Sequence, residues 1–154
     1  MKVDKNAKDF KSLSKVVKKV DLKSIFLFNC KVCRRLNALE YPNVNINVTS
    51  QGILLEEKDG YIIAKATFSA KGSPEEEQEM EVASFESEYI LTYSLEDKKE
   101  LTTEDLERFC SINAIYNAWP YWREFLQNIS NRMELPTFTL PLLKFRQAKK
   151  KEEG

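Results

Sequence analysis

The sequence contains no histidine, which removes the imidazole base of serine and cysteine hydrolases and the commonest zinc ligand. Glycine is scarce too: Gly52, Gly60, Gly72 and Gly154 are too few and too scattered to build a phosphate-cradling loop or a dinucleotide fingerprint. Three cysteines, Cys30, Cys33 and Cys110, cannot make a disulfide framework, which agrees with a reducing compartment. The Cys30-Lys-Val-Cys33 spacing is that of a metal or redox pair, but no second pair or histidine completes four ligands. On a strand, positions three apart also face opposite sides, so two small strand residues are the simpler reading. Long apolar runs are missing as well: nothing approaches the roughly 20 residues that cross a bilayer, and no basic-then-apolar leader opens the chain. The cytoplasm is the expected compartment, without stable membrane insertion.

What is present suits one globular domain. The 154 residues are 42% hydrophobic and 31% charged, enough to bury a real core. A net charge of zero hides segregation, with eight lysines against three aspartates in residues 1–23, and thirteen acids against Lys98 and Lys99 between Glu75 and Glu107. Such blocks either keep a sheet solvated or steer a basic partner to the acidic middle.

The richest stretch runs from Ile112 to Leu126 and packs three aromatics and a proline into Trp119, Pro120, Tyr121 and Trp122. Ile112, Ile115, Trp119, Trp122, Leu126, Ile129 and Met133 step by three and four, which puts them on one helical face. Ala114, Ala118, Tyr121 and Phe125 form a second face, so the helix is apolar over most of its circumference and should lie between two layers. Pro120 lacks an N–H, which predicts a kink near Asn117 to Trp119 or a break into two helices with Pro120 opening the second.

Along the chain, Phe10, Leu13, Val17 and Val20 repeat at helical spacing within the lysine-studded first 22 residues. A short helix docked on the body is the plain reading; a membrane-surface or nucleic-acid arm is the sharper one, although no aromatics stand among the lysines to stack bases. A first strand begins near Ser24 with Ile25-Phe-Leu-Phe28. A loop carrying Leu39 and Tyr41 follows. Val44-Asn-Ile-Asn-Val48 then alternates cleanly, as half-buried antiparallel strands do. That second strand extends to Glu57, and Lys58-Asp-Gly60 signals a tight hairpin into a third over 61–70. Lys71-Gly-Ser-Pro74 reads as a turn, and the fourth strand as Met80 to Leu95, with Ala83, Phe85, Tyr89, Leu91 and Tyr93 inward and Glu86 and Glu88 outward. Thr102 or Thr103 caps the helix, with Glu104 and Asp105 at its positive end. The expected fold class is α+β: a four-stranded antiparallel sheet, a long kinked or broken helix on one face and a short C-terminal segment. Residues 1–22 read as a basic extension, 23–146 as the domain and 147–154 as a charged flexible tail.

Four strands, then a helix holding Asn117-Ala-Trp-Pro-Tyr-Trp-Arg-Glu124, then Met133-Glu-Leu-Pro136 and Leu140-Pro141, resemble the SecB family of protein-export chaperones. The motif of an aromatic, proline, tyrosine, any residue, arginine and glutamate is matched by Trp119 to Glu124, and the likeness spans about Ser24 to Phe145. It implies an ATP-independent holdase for unfolded or precursor polypeptides, without cofactor, assembled as a dimer of dimers. It implies a client groove at Leu39, Tyr41, Val44, Ile46, Tyr116, Trp119, Leu142 and Phe145, and a subunit interface at Trp119, Tyr121, Trp122, Phe125 and Leu126. In that family, acids on the outer sheet face dock the SecA motor ATPase. Glu86 and Glu88 are the nearest candidates, in a local pattern that differs from the family's. Related proteins serve a single antitoxin, so a dedicated chaperone is the alternative. A carboxylate-based enzyme is a third reading, with many acids and no defined pair.

Overall fold

The computed structural model describes residues 2–5 and 7–147, with side chains described over residues 11–143. Strand β1 (Lys2–Lys5) and helix α1 (Ala7–Val17) precede β2 (Val20–Arg34), β3 (Val44–Lys58), β4 (Tyr61–Pro74) and β5 (Ala83–Leu95). Helix α2 (Thr103–Phe109), a π-wound stretch at Cys110–Ala114 and α3 (Ile115–Arg132) then run on as one long helix. The short β6 (Lys144–Gln147) pairs in parallel with β1. Strands β2 to β5 form an antiparallel sheet in the order β2-β5-β4-β3, a Greek-key arrangement in which the first strand lies beside the last. The fold is α+β, as the order of apolar patterns predicts.

Alternation decides which face the helix covers. On β4, Ile62, Ala64, Ala66, Phe68 and Ala70 are buried, and on β5, Ala83, Phe85, Ser87, Tyr89, Leu91 and Tyr93 are buried. The alanines of β4 leave depth for large partners from α3. Trp122 stacks on Phe68 with ring centres 5.5 Å apart, and Trp119 meets the same ring edge-on at 5.8 Å. Both indoles are sealed, Trp122 at 0% and Trp119 at 3% exposure.

Three expectations are corrected. The helix is not broken at Pro120: α3 runs on from Ile115 to Arg132 with Pro120 on its exposed side. The irregular winding lies upstream, at Cys110–Ala114, where β3 crosses the helix at Gly52. A Cβ on Gly52 would lie 2.4 Å from the Cys110 carbonyl oxygen, so this glycine is what permits the crossing. Residues 71–74 do not turn: β4 continues to Pro74 because β3 pairs with it as far as Val44, and β5 starts only at Ala83. Among the described side chains of α1, Ser12, Leu13 and Val16 are buried, whereas Val17 is exposed and Val20 already belongs to β2. Helix α1 docks on α2 through Ser12, whose hydroxyl donates to the Asp105 carboxylate. The expected charged tail falls, from residue 148 on, outside the described residues.

Candidate functional site

The strand order dictates the first cavity. Arg34 ends one edge strand and Val44 begins the other, so residues 35–43 must cross the ends of β5 and β4, a span of about 14 Å at ordinary strand spacing. The crossing is fastened by the Arg35 N–H to the Val82 carbonyl at 2.8 Å and by Arg35 Nε–H to the Glu81 carbonyl at 2.8 Å. Ala38 is buried in a 3-10 turn, and Tyr41 directs its hydroxyl to Met80 Sδ at 3.7 Å. Helix α3 stops at Arg132, and beyond it the chain leaving the helix runs along the sheet end.

That exit is shaped by a cap with an unusual residue. Glu134 adopts φ 53, the left-handed conformation more often given to glycine, while its N–H bonds the Asn131 carbonyl at 3.1 Å and the Leu135 N–H bonds the Ser130 carbonyl at 3.0 Å. Leu135, Pro136, Thr137 and Phe138 then face the crossing loop. Between them lies a cavity of about 480 Å³, within the roughly 300–1,000 Å³ usual for binding pockets. Its floor includes Ala70, Gly72 and Ala83, small side chains that leave the space unfilled, and its walls include Leu39, Tyr41, Val44 and Ile46.

The predicted groove residues therefore divide. Leu39, Tyr41, Val44 and Ile46 converge on one cavity. Tyr116 is exposed on α3 and does not line it, and Leu142 is exposed beyond the exit. Trp119 is in the core, its indole N–H donating to the Pro141 carbonyl at 2.9 Å. Phe145 lies in β6, outside the described side chains. Sequence reasoning missed Ala38, Val82, Leu135 and Phe138. The signal for the last two was present, as apolar residues three apart in a proline-bounded exit.

A second depression, of about 470 Å³, separates α3 from the inner face of β2 and is lined by residues that include Ile25, Leu27, Tyr89, Tyr121, Phe125 and Ile129. Of the predicted interface residues, Tyr121 and Phe125 reach it, whereas Trp119, Trp122 and Leu126 are committed to the protomer's own core. Phe26 and Leu27, which line it, and Phe28 next to them are 51%, 41% and 63% exposed on a strand that forms one edge of the sheet.

The outer sheet face carries Glu86 and Glu88 as expected, but not as free acids alike. Glu88 is half-buried, takes Lys65 Nζ at 2.9 Å and Asn29 Nδ2 at 3.3 Å, and its carboxyl is held below the usual range chiefly by the lysine. Glu86 is exposed and lies opposite Lys31 on β2. Other acids of the middle segment are engaged locally: Glu81 pairs with Lys71 at 2.8 Å and Glu104 with Arg108 at 2.5 Å. Cys110 is buried, and burial pushes its thiol up to about 12, while Cys30 and Cys33 are exposed and free. Among the described residues no group of three or more metal-ligating side chains comes together, and no helix is long and apolar enough to cross a membrane.

A four-stranded sheet with a long helix on one face is a fold that this chain shares with a solved SecB-like chaperone. In particular, the chain is similar to the Mycobacterium tuberculosis SecB-like chaperone Rv1957, solved in complex with a ChAD peptide from the Rv1956 HigA1 antitoxin. The TM-score is 0.74 at 14% identity, over 88% of this chain and 99% of that one. A protein of unknown function from Streptococcus agalactiae matches with a TM-score of 0.42 and 12% identity, over 80% of this chain and 98% of that one. No family model and no curated protein matches.

Proposed function

We propose that this protein is a non-enzymatic, ATP-independent chaperone that holds an extended, unfolded segment of another polypeptide in the cavity between the 35–43 crossing, β3 and the 135–138 exit. One observation carries the reading: Leu39, Tyr41, Val44 and Ile46, of which Leu39 is 60% exposed, converge on an apolar cavity at an open sheet edge. Apolar walls bind through area removed from water, which is indifferent to sequence and suits unrelated clients. The similar mycobacterial chaperone was solved with a peptide of an antitoxin, which supports a polypeptide occupant.

Whether the clients are many exported precursors or one dedicated partner turns on the outer face. The lysine on Glu88 leaves less free negative charge for docking a basic tail of SecA, and this favours the dedicated role as the second reading. Self-association is proposed at the depression between α3 and β2, through Phe26, Leu27, Phe28, Tyr121 and Phe125, in a dimer that could pair again to a tetramer. Three free thiols, two of them exposed, agree with a cytoplasmic location.

The test mixes purified protein with an aggregation-prone unfolded substrate in the absence of nucleotide. Suppressed light scattering is expected, and unchanged scattering refutes the holdase. Identification of what co-purifies with the native protein separates the two roles, since a broad set of precursors indicates export and one dominant small protein a dedicated chaperone.

A further inference from the structure

The exit segment that walls the cavity is held at both ends by cationic or indole donors aimed at backbone carbonyls. At its far end, Arg123 Nε–H donates to the Leu140 carbonyl at 2.8 Å and Trp119 Nε1–H to the Pro141 carbonyl at 2.9 Å, both from α3, and Leu140 is buried. At its near end the donor comes from a different element. Arg34, the last residue of β2, directs Nη1 to the Met133 carbonyl at 2.5 Å, Nη2 to the Leu36 carbonyl at 3.3 Å and Nε to the Arg35 carbonyl at 3.1 Å. Met133 is the C-cap of α3, where the helix presents unpaired carbonyls and the negative end of its dipole.

One guanidinium therefore gathers carbonyls from the start of both cavity walls: the crossing loop that carries Ala38, Leu39 and Tyr41, and the exit that carries Leu135 and Phe138. We infer that Arg34 is a positioning residue that sets the separation of these walls, and so decides how large an apolar side chain the cavity accepts. The inference rests on the peptide-holding reading above. The planar fork is what the task needs: a lysine ammonium is a single point of charge and cannot address carbonyls of two segments in fixed directions. Sheet geometry alone does not set the gap. The two walls belong to segments about a hundred residues apart in sequence, and no bond in the sheet ladder joins them. Arg34 is half-buried and lies opposite Ala83, itself on the cavity floor, so the same residue also fixes the walls relative to the sheet.

The experiment compares the affinities of the wild-type protein, Arg34→Lys and Arg34→Ala for two fluorescein-labelled Gly/Ser peptides, one carrying Leu-Phe-Leu and the other Leu-Ala-Leu, by fluorescence anisotropy. Thermal unfolding of each variant is recorded alongside. The wild type is expected to favour the Phe peptide, and both variants to lose that preference by about tenfold, the order of a lost charge-assisted hydrogen bond. Arg34→Lys keeps the charge and is expected to fold. A purely structural role lowers the active fraction for both peptides alike and leaves their affinity ratio unmoved. If the wild type discriminates and Arg34→Lys discriminates equally, the positioning role is refuted while the holding function stands. If the wild type binds neither peptide, the holding function fails and this inference with it.

Discussion

Asp105 shows how much a single carboxylate does here. Its Oδ2 accepts the Thr102 N–H at 3.0 Å while the Thr102 hydroxyl accepts the Asp105 N–H at 3.2 Å, a capping box with aspartate in the third position of α2. The other oxygen accepts the Ser12 hydroxyl and so ties α1 to the long helix. These donors, Ser12 foremost, hold the carboxyl below its usual range. A lowered folded value means that the charged form is preferred in the native state. The contribution is therefore full above the unfolded value of about 4 and is lost as pH falls through the lowered one. Urea midpoints measured across that acid range should fall less steeply for Asp105→Asn than for the wild type. Glu134 makes the opposite case, a residue at odds with its backbone. Its φ of 53 suits glycine, so Glu134→Gly should raise stability by about 1 kcal/mol, read as an increased denaturant midpoint at constant slope.

At the scale of elements, the crossing of β3 and the helix is a close one. The π-wound turn at Cys110–Ala114 lies against Gly52, and a methyl group there would meet backbone rather than a side chain able to swing away. Gly52→Ala should destabilise the protein by about 2 kcal/mol, as overpacked cores do, with the loss visible in chemical denaturation. Little of this was legible beforehand. Pro120 advertised a break, and the sequence has no comparable mark at Cys110, because π winding here accompanies a contact with a strand some sixty residues earlier. The strands were far more legible. The inward set Ala83, Phe85, Tyr89, Leu91 and Tyr93 is buried as the period of two requires, since that alternation needs only one solvated face. The end of β4 was misread for a related reason. Lys71-Gly-Ser-Pro74 has turn composition, but at an edge-ward strand end proline and glycine are tolerated, and pairing with Val44 to Asn47 keeps the segment extended.

For the whole molecule the decisive fact is which greasy surface is hidden and which is not. Trp122 is fully buried against Phe68 in the protomer, so Trp122→Glu should abolish folding rather than merely lower the assembly state, with loss of cooperative unfolding by circular dichroism. Phe28→Glu, on the exposed edge strand, should fold normally and sediment as a smaller species than the wild type. Together the pair of variants separates core from contact surface. The resemblance carried by Trp119 to Glu124 pointed to the right fold, yet it assigned those indoles to a subunit interface, because a helix apolar over most of its circumference does not say which layer lies on which side. Four of the predicted cavity residues came together because they sit on a crossing loop and the edge strand it leads to, close in sequence. Leu135 and Phe138 joined them only through the path of the chain after α3.

The sequence by itself determined the four long strands and the helix that follows them, the inward face of the central strands and the class of fold, because periodicity and turn chemistry act over a few residues. Tertiary structure alone decided that both tryptophans are core, that the helix winds loosely at Cys110–Ala114 and is not broken at Pro120, and that an apolar cavity opens where α3 ends. Those outcomes depend on how far a helix reaches along a sheet and on which small side chains lie beneath its end, quantities set by contacts between segments far apart in the chain.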